Sequence, residues 1–255
     1  MQHGKHITEY DLPISTGECD NDSVVLRLIQ DELTIPNVDE ELTLIEKLNN
    51  DQRVAYETIM TVIDRKQSMI FFVDGLGGTG KTFLYCTILA TLRKVGHITI
   101  TTATSGIAVT LLFDERTTHS RFKIPLTPNT SYTFSISKQI DLAELIRCAT
   151  IIIWDEAPLV NQRAFESLDR TFKDIMEVKL PFGGKVLILG GDFHQVLLVV
   201  PKGTKAEMID AYIVKSPLWK DVKVLHLKQN MRSVNDEEFV EYIQRIGDRN
   251  EPFMI

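Results

Sequence analysis

Met69-Ile70-Phe71-Phe72-Val73-Asp74-Gly75-Leu76-Gly77-Gly78-Thr79-Gly80-Lys81-Thr82 runs from a short apolar segment into a glycine-rich loop that closes on Lys-Thr. Residues 83–93 then follow with helical spacing, so the loop lies between a strand and a helix. That context is what a phosphate-binding loop requires. Glycines let the backbone wrap until its N–H groups converge on an anion, and the helix N-terminus adds a positive end. In this reading Gly75, Gly77, Gly78, Thr79 and Gly80 cradle the phosphates. Lys81 neutralises β- and γ-phosphate oxygens, and Thr82 offers a hydroxyl to Mg²⁺.

Outward from this loop the chain alternates between strand and helix. Apolar runs at 98–101, 151–154 and 186–189, with a weaker one at 222–227, each suit a buried strand. Between them lie stretches of helical period, such as Phe165, Leu168, Phe172 and Ile175. Before the first strand, Ala55, Ile59 and Ile63 recur every four residues over 51–64 and predict a helix. Strand-helix alternation predicts an α/β fold with a mostly parallel sheet covered on both faces. The segment rich in Thr and Ser from 125 to 139 is expected as an insertion at the sheet's edge.

Further candidates sit at strand ends. The run Ile151-Ile152-Ile153-Trp154 ends in Asp155-Glu156. This strand is expected beside the first one, with Asp155 holding Mg²⁺ and Glu156 polarising the attacking water. Two adjacent acids favour hydrolysis over transfer to an acceptor. Gln195, after Gly190-Gly191-Asp192-Phe193-His194, is placed to sense the γ-phosphate by a hydrogen bond. Arg232, after the last strand, is placed as a cationic finger on the same group. ATP and Mg²⁺ are therefore the expected ligands.

Charge places no basic face in view. The net charge is -7, yet it is uneven: residues 1–50 hold 3 Lys+Arg against 11 Asp+Glu, and residues 51–255 hold 25 against 24. The acidic front reads as an appendage over 1–45, and the near-neutral body leaves nucleic acid open as a partner. Hydrophobic residues at 44% and charged residues at 25% are ordinary globular usage, which excludes a disordered or fibrous chain. Cys19, Cys86 and Cys148 form no CxxC pair, which argues against a disulfide framework or a zinc site and suits a reducing compartment. No run of eighteen apolar residues occurs, so no membrane partner is expected.

The ordered motifs carry a resemblance. Residues 48–52, 75–82, 103–108, Thr118-His119-Ser120, 155–158, 191–195 and 229–232 occur in the order seen in the Pif-one family of superfamily 1B helicases, especially the forms in Helitron transposons. The resemblance covers residues 46–233. It implies a three-layer RecA-like P-loop domain with a small inserted subdomain over 123–139, near the point of strand separation. It further implies a 5′-to-3′ DNA helicase serving DNA repair, recombination and telomere maintenance, in the nucleus or alternatively the mitochondrion. Gln52 would read the adenine edge. Thr104, Ser105 and Gly106 would track the backbone of single-stranded DNA, with His119 and Ser120 on the same lobe.

The chain also departs from the family pattern. A second RecA-like lobe is expected as partner but absent, with residues 234–255 beginning the connection to it, so one lobe would bind ATP without processive unwinding. The helical face of Phe239, Ile243 and Ile246 would be exposed there. His194 stands where the family has Arg, and Leu198 where it has Pro. A degenerate binding module and a P-loop nucleoside or nucleotide kinase are the alternatives. Asp114-Glu115 replaces a usual Gly-Gly pair close to the expected DNA path, where two carboxylates repel phosphates in a salt-dependent way. The Asp114→Gly, Glu115→Gly double variant is expected to bind single-stranded DNA more tightly than the parent at low salt, by fluorescence anisotropy; equal affinities would remove this repulsion from the account.

Overall fold

The computed structural model describes residues 29, 30, 32, 41–104, 116–122, 124, 141–193 and 204–231. Its frame is a parallel sheet of six strands: β1 (Ile70–Asp74), β2 (Thr99–Ala103), β3 (Arg116–Thr117), β4 (Ile151–Asp155), β5 (Val186–Gly191) and β6 (Val222–His226). The spatial order is β3-β2-β4-β5-β1-β6. All five expected strands are present. Their boundaries differ by one or two residues, because polar or glycine residues such as Asp74, Asp155 and Gly191 continue the ladder beyond the apolar run.

Helices cover both faces. Adjacent strand residues point to opposite sides, and the core splits accordingly. Phe71, Val73, Ile151, Ile153 and Ile188 pack against α2 (Asn50–Asp64) and α3 (Lys81–Lys94) through Ala55, Ile59, Leu84, Tyr85 and Ile88. On the other face, Ile70, Phe72, Ile152, Trp154, Leu187 and Leu189 meet α5 (Asp141–Cys148) and α6 (Gln162–Met176). Trp154, Phe72 and Phe165 are fully buried there. The three-layer α/β fold is therefore as the sequence implies. The expected helical face of α6 is real: Phe165, Leu168, Phe172 and Ile175 are all buried.

Several elements carry too little pattern to be read beforehand. β3 has two residues, and it pairs Thr102 with Arg116 and Ala103 with Thr117 at one sheet edge. α1 (Glu41–Glu46), α4 (Thr118–Arg121) and α7 (Lys205–Asp210) are only four to six residues long. α5 has eight residues, too few to show a long period. β6 was the weakest apolar run because it is the other edge, and of its five residues only Leu225 is buried. Of the insertion expected over 123–139, Ile124 is buried, and residues 123 and 125–139 lie outside the described residues.

Two expectations need correction. Residues 1–45 do not all stand apart, since Ile29 packs against the larger core cluster and Glu32 is buried. And β4 is not beside β1: β5 lies between them. The separation works because β5 ends in Gly190-Gly191. A Cβ on Gly190 would sit 1.9 Å from Tyr85 Oη and 2.8 Å from Asp155 Oδ1. Without it, the carboxylate on β4 and the helix after β1 close over the intervening strand. Among the described residues no helix is long and apolar enough to cross a membrane.

The neighbouring Gly191 backs onto the rigid ring of Pro158, whose Cδ would lie 2.4 Å from an added Cβ. Neither a proline ring nor a strand backbone can move aside cheaply. Gly191→Ala is expected to destabilise the chain by about 1–3 kcal/mol, as overpacking does, read as a lower urea midpoint with an unchanged slope.

Candidate functional site

In a parallel sheet every strand end of one polarity falls on one side, and ligand crevices form outside the carboxyl ends. Here that side collects the loop after β1, Asp155-Glu156 after β4, Asp192 after β5 and residues 227–231 after β6. A cavity of about 390 Å³ opens there, lined by Asp74, Gly75, Leu76, Asp192, His226, Leu227 and Lys228.

The loop at 75–80 is held by its carbonyls. Gly78 (φ 92°) and Gly80 (φ 78°) take left-handed backbone that glycine alone adopts freely. Lys81 Nζ donates to the carbonyls of Gly75 and Leu76. Thr79, itself buried, donates to Leu76 O through both N–H and Oγ1. Asn230 Nδ2 donates to Gly77 O at 3.3 Å and Met231 N to Gly78 O at 2.7 Å. Gln52 Nε2 donates to Thr79 O at 3.1 Å and Gly80 O at 3.3 Å. Thus each carbonyl from Gly75 to Gly80 has a protein donor.

Gln52 has two duties in this arrangement. Asn49 caps α2 and accepts from Gln52 N, while Gln52 Oε1 accepts from Asn49 N, closing a capping box. The same side chain, only 1% exposed, supports the loop through its other end. Reading an adenine edge, the role the resemblance implies, would require exchanging one of these bonds.

Charge is concentrated around Lys81. Burial lowers its pKa from the usual ammonium value, opposed by Asp155, Asp192, Asp74 and Glu156. Burial raises the pKa of Asp155, opposed by its hydrogen bond from Glu156 N and by Lys81. That N–H reaches Asp155 Oδ1 at 3.0 Å. Glu156 holds an unusual backbone, φ 53°, and its Oε2 is buried with no hydrogen-bond partner. An orphaned carboxylate oxygen and a left-handed non-glycine residue are features that cluster at functional sites. Thr82 stands half-buried at the start of α3.

The second group of candidates occupies the corner at the end of β2. Thr104 N donates to Asp155 O, and Thr104 Oγ1 accepts from the Trp154 indole at 2.9 Å, linking this corner to β4. Thr118 Oγ1 donates to Ala103 O and accepts from Thr102 Oγ1, which ties α4 to β2. His119 is half-buried, and desolvation lowers its pKa. Ser120 is exposed, its N–H bonded to Thr117 Oγ1. Ser105, Gly106, Asp114, Glu115, His194, Gln195, Leu198 and Arg232 lie outside the described residues.

A profile of PIF1-like helicases matches residues 47–253. The chain belongs to the PIF1-like helicase family. The ATP-dependent DNA helicase PIF1 of Candida albicans is 26% identical over 215 residues, which cover 80% of this chain and 23% of that protein. Among solved structures, the Candida albicans Pif1 helicase superposes with a TM-score of 0.67 at 26% identity, over 81% of this chain and 45% of that one. A Bacteroides Pif1 helicase in complex with ADP-AlF3 and ssDNA gives 0.64 at 26% identity, over 78% and 46%. The chain thus spans about a quarter of this curated relative and under half of these solved ones.

Some residues of the site had no signal as single letters. Asn230 and Met231 act through hydrogen bonds to the loop, and Asn49 Nδ2 also donates to Met231 Sδ at 3.2 Å. Asp51 Oδ2 accepts from Lys228 N at 2.9 Å. Thus α2, the loop at 75–80 and the segment after β6 are fastened together, though more than 150 positions separate the first from the last. Gln52→Ala would leave the Asn49 amide without its acceptor and the Thr79 carbonyl without its donor, while Gly80 O keeps its bond from Leu84 N. It is expected to lower stability in nucleotide-free buffer by about 1–3 kcal/mol, measured by urea denaturation. A side chain that only read adenine would leave that midpoint unmoved.

Proposed function

We propose that this chain supplies the ATP-binding and ATP-hydrolysing motor lobe of a 5′-to-3′ DNA helicase acting on single-stranded DNA. The observation that carries the reading is the juxtaposition of Lys81, on a loop with its carbonyls tied back, and Asp155-Glu156, whose one oxygen is buried and unpartnered. The amides of residues 77, 78, 80 and 81 and the α3 N-terminus would receive the phosphates, Thr79 N being bonded to Leu76 O. Lys81 would exchange its loop carbonyls for phosphate oxygens.

Among the described residues, no three His, Cys, Asp or Glu side chains are grouped to hold a metal on their own. Mg²⁺ would instead be held by Thr82 and Asp155 together with the nucleotide's phosphates, the usual arrangement in P-loop hydrolases. Asp155 suits this, because burial already penalises its isolated charge and a nearby cation would relieve that cost. Bound there, the ion would neutralise phosphate charge. Glu156 would orient the attacking water, and Gln195 and Arg232 would contact the γ-phosphate. The bond from Met231 N to Gly78 O supports the last assignment, since it fixes the backbone one residue before Arg232 onto the loop.

Single-stranded DNA would run over Thr104, Ser105, Gly106, His119 and Ser120. Thr104 touches both Trp154 and Asp155 O, so the DNA corner and the hydrolysis site share strand β4. Stepping requires closure of two lobes around the nucleotide. Residues 46–233 by themselves would hydrolyse ATP slowly and not unwind. Work on DNA would put the chain in the nucleus, or in the mitochondrion.

Phosphate release measured with malachite green, with and without single-stranded DNA, tests the proposal. The parent should release phosphate from ATP, faster with DNA. Glu156→Gln should lower the rate by about 10²-fold or more while calorimetry still detects ATP binding, and Lys81→Ala should abolish the binding heat. No hydrolysis with intact binding would make the chain a degenerate nucleotide-binding module, and transfer to a nucleoside would make it a kinase.

A further inference from the structure

Arg121 closes α4, next to Ser120 and two residues after His119. Its side chain is 4% exposed, and its Nη2 donates to Glu32 Oε1, on a carboxylate that is 3% exposed. The two residues are 89 positions apart, and Glu32 lies outside the stretch matched by the family profile, 47–253. A buried guanidinium without a carboxylate is costly, and removing one partner of such a pair costs far more than the pair itself contributes. Ile29, one helical turn before Glu32, packs against the larger core cluster, so this contact has an apolar anchor beside the ionic one.

The other supports of α4 come from within the lobe. Thr118 is tied to Ala103 O and to Thr102, and Phe122 is fully buried against Phe172. These hold the two ends of the turn at the level of the β2 terminus. The Arg121–Glu32 pair adds a support from outside, and Phe122 N donates to Thr118 O and Ile124 N to His119 O across the same residues.

We infer that Glu32 is a positioning residue for the DNA-facing corner, fixing His119 and Ser120 through its buried ion pair with Arg121. The segment that precedes the family domain is then a working part of the lobe. The inference rests on the proposed DNA role of His119 and Ser120 for its functional consequence, but its structural core does not.

The test uses the full chain with Glu32→Gln, which keeps size and removes charge. Amide hydrogen exchange should speed up about tenfold or more at Phe122 and Ile124, with no change in α3, since local openings report local stability. Affinity for a fluorescein-labelled oligonucleotide should fall about fivefold or more, while affinity for a fluorescent ATP analogue stays within about twofold, the split a positioning role demands. If Glu32→Gln proves insoluble, Glu32→Leu with Arg121→Met restores an apolar match of similar volume. That pair should fold with parental exchange in α3 and weakened oligonucleotide binding. Unchanged exchange at Phe122 and Ile124 in the charge variant overturns the inference, as does uniform acceleration across α3 and α4. If the parent chain itself binds no oligonucleotide, the DNA assignment fails, and the exchange result still decides whether Glu32 positions α4.

Discussion

A glycine-rich loop can receive an anion only if its peptide planes are fixed, and at 75–80 the carbonyls enforce this. From Gly75 to Gly80, each carbonyl oxygen accepts from a donor belonging to the protein: Lys81, Thr79, Asn230, Met231, Gln52 or the first turn of α3. A peptide whose C=O is fastened inward presents its N–H on the opposite side. The loop's orientation is therefore settled by side-chain and backbone donors drawn from three parts of the chain. Glycine permits the two left-handed positions, but the donors select them.

The same economy governs charge. One half-buried ammonium faces Asp155, Asp192, Asp74 and Glu156, more acidic groups than it can balance. Desolvation presses Lys81 toward neutrality and Asp155 toward protonation, opposite effects that both favour losing charge. A site in that condition gains from a ligand that brings a cation and an anion together. β5 makes the crowding sterically possible, because Gly190 presents no Cβ where Tyr85 and Asp155 approach.

Membership of the PIF1-like helicases and the shared lobe architecture explain why the nucleotide side is so complete. The corner that carries Thr104, His119 and Ser120 is built differently. It hangs on hydroxyl bonds between Thr102, Thr118 and the β2 terminus, on one indole contact and on a buried ion pair reaching back to Glu32. Trp154 joins the two regions, since its ring fills the core while its Nε1 reaches Thr104 one strand away.

The apolar runs, their alternation with helical stretches and the spacing of glycines with Lys81 and Thr82 were enough to name the α/β class and five of six strands, and to single out the loop at 75–80 as the candidate phosphate site. These are local properties: burial on both faces makes a strand continuously apolar, and an anion-binding turn needs particular residues at adjacent positions. Strand order was not local, and β5 lies between β1 and β4 against expectation, because adjacency is set by how distant strands pair across the sheet and not by their order along the chain. Gln52, Asn230, Met231 and Glu32 were likewise unreadable as structural supports. Each acts through a hydrogen bond or ion pair to a residue 27 or more positions away, and such partners exist only once the sheet has brought their elements together.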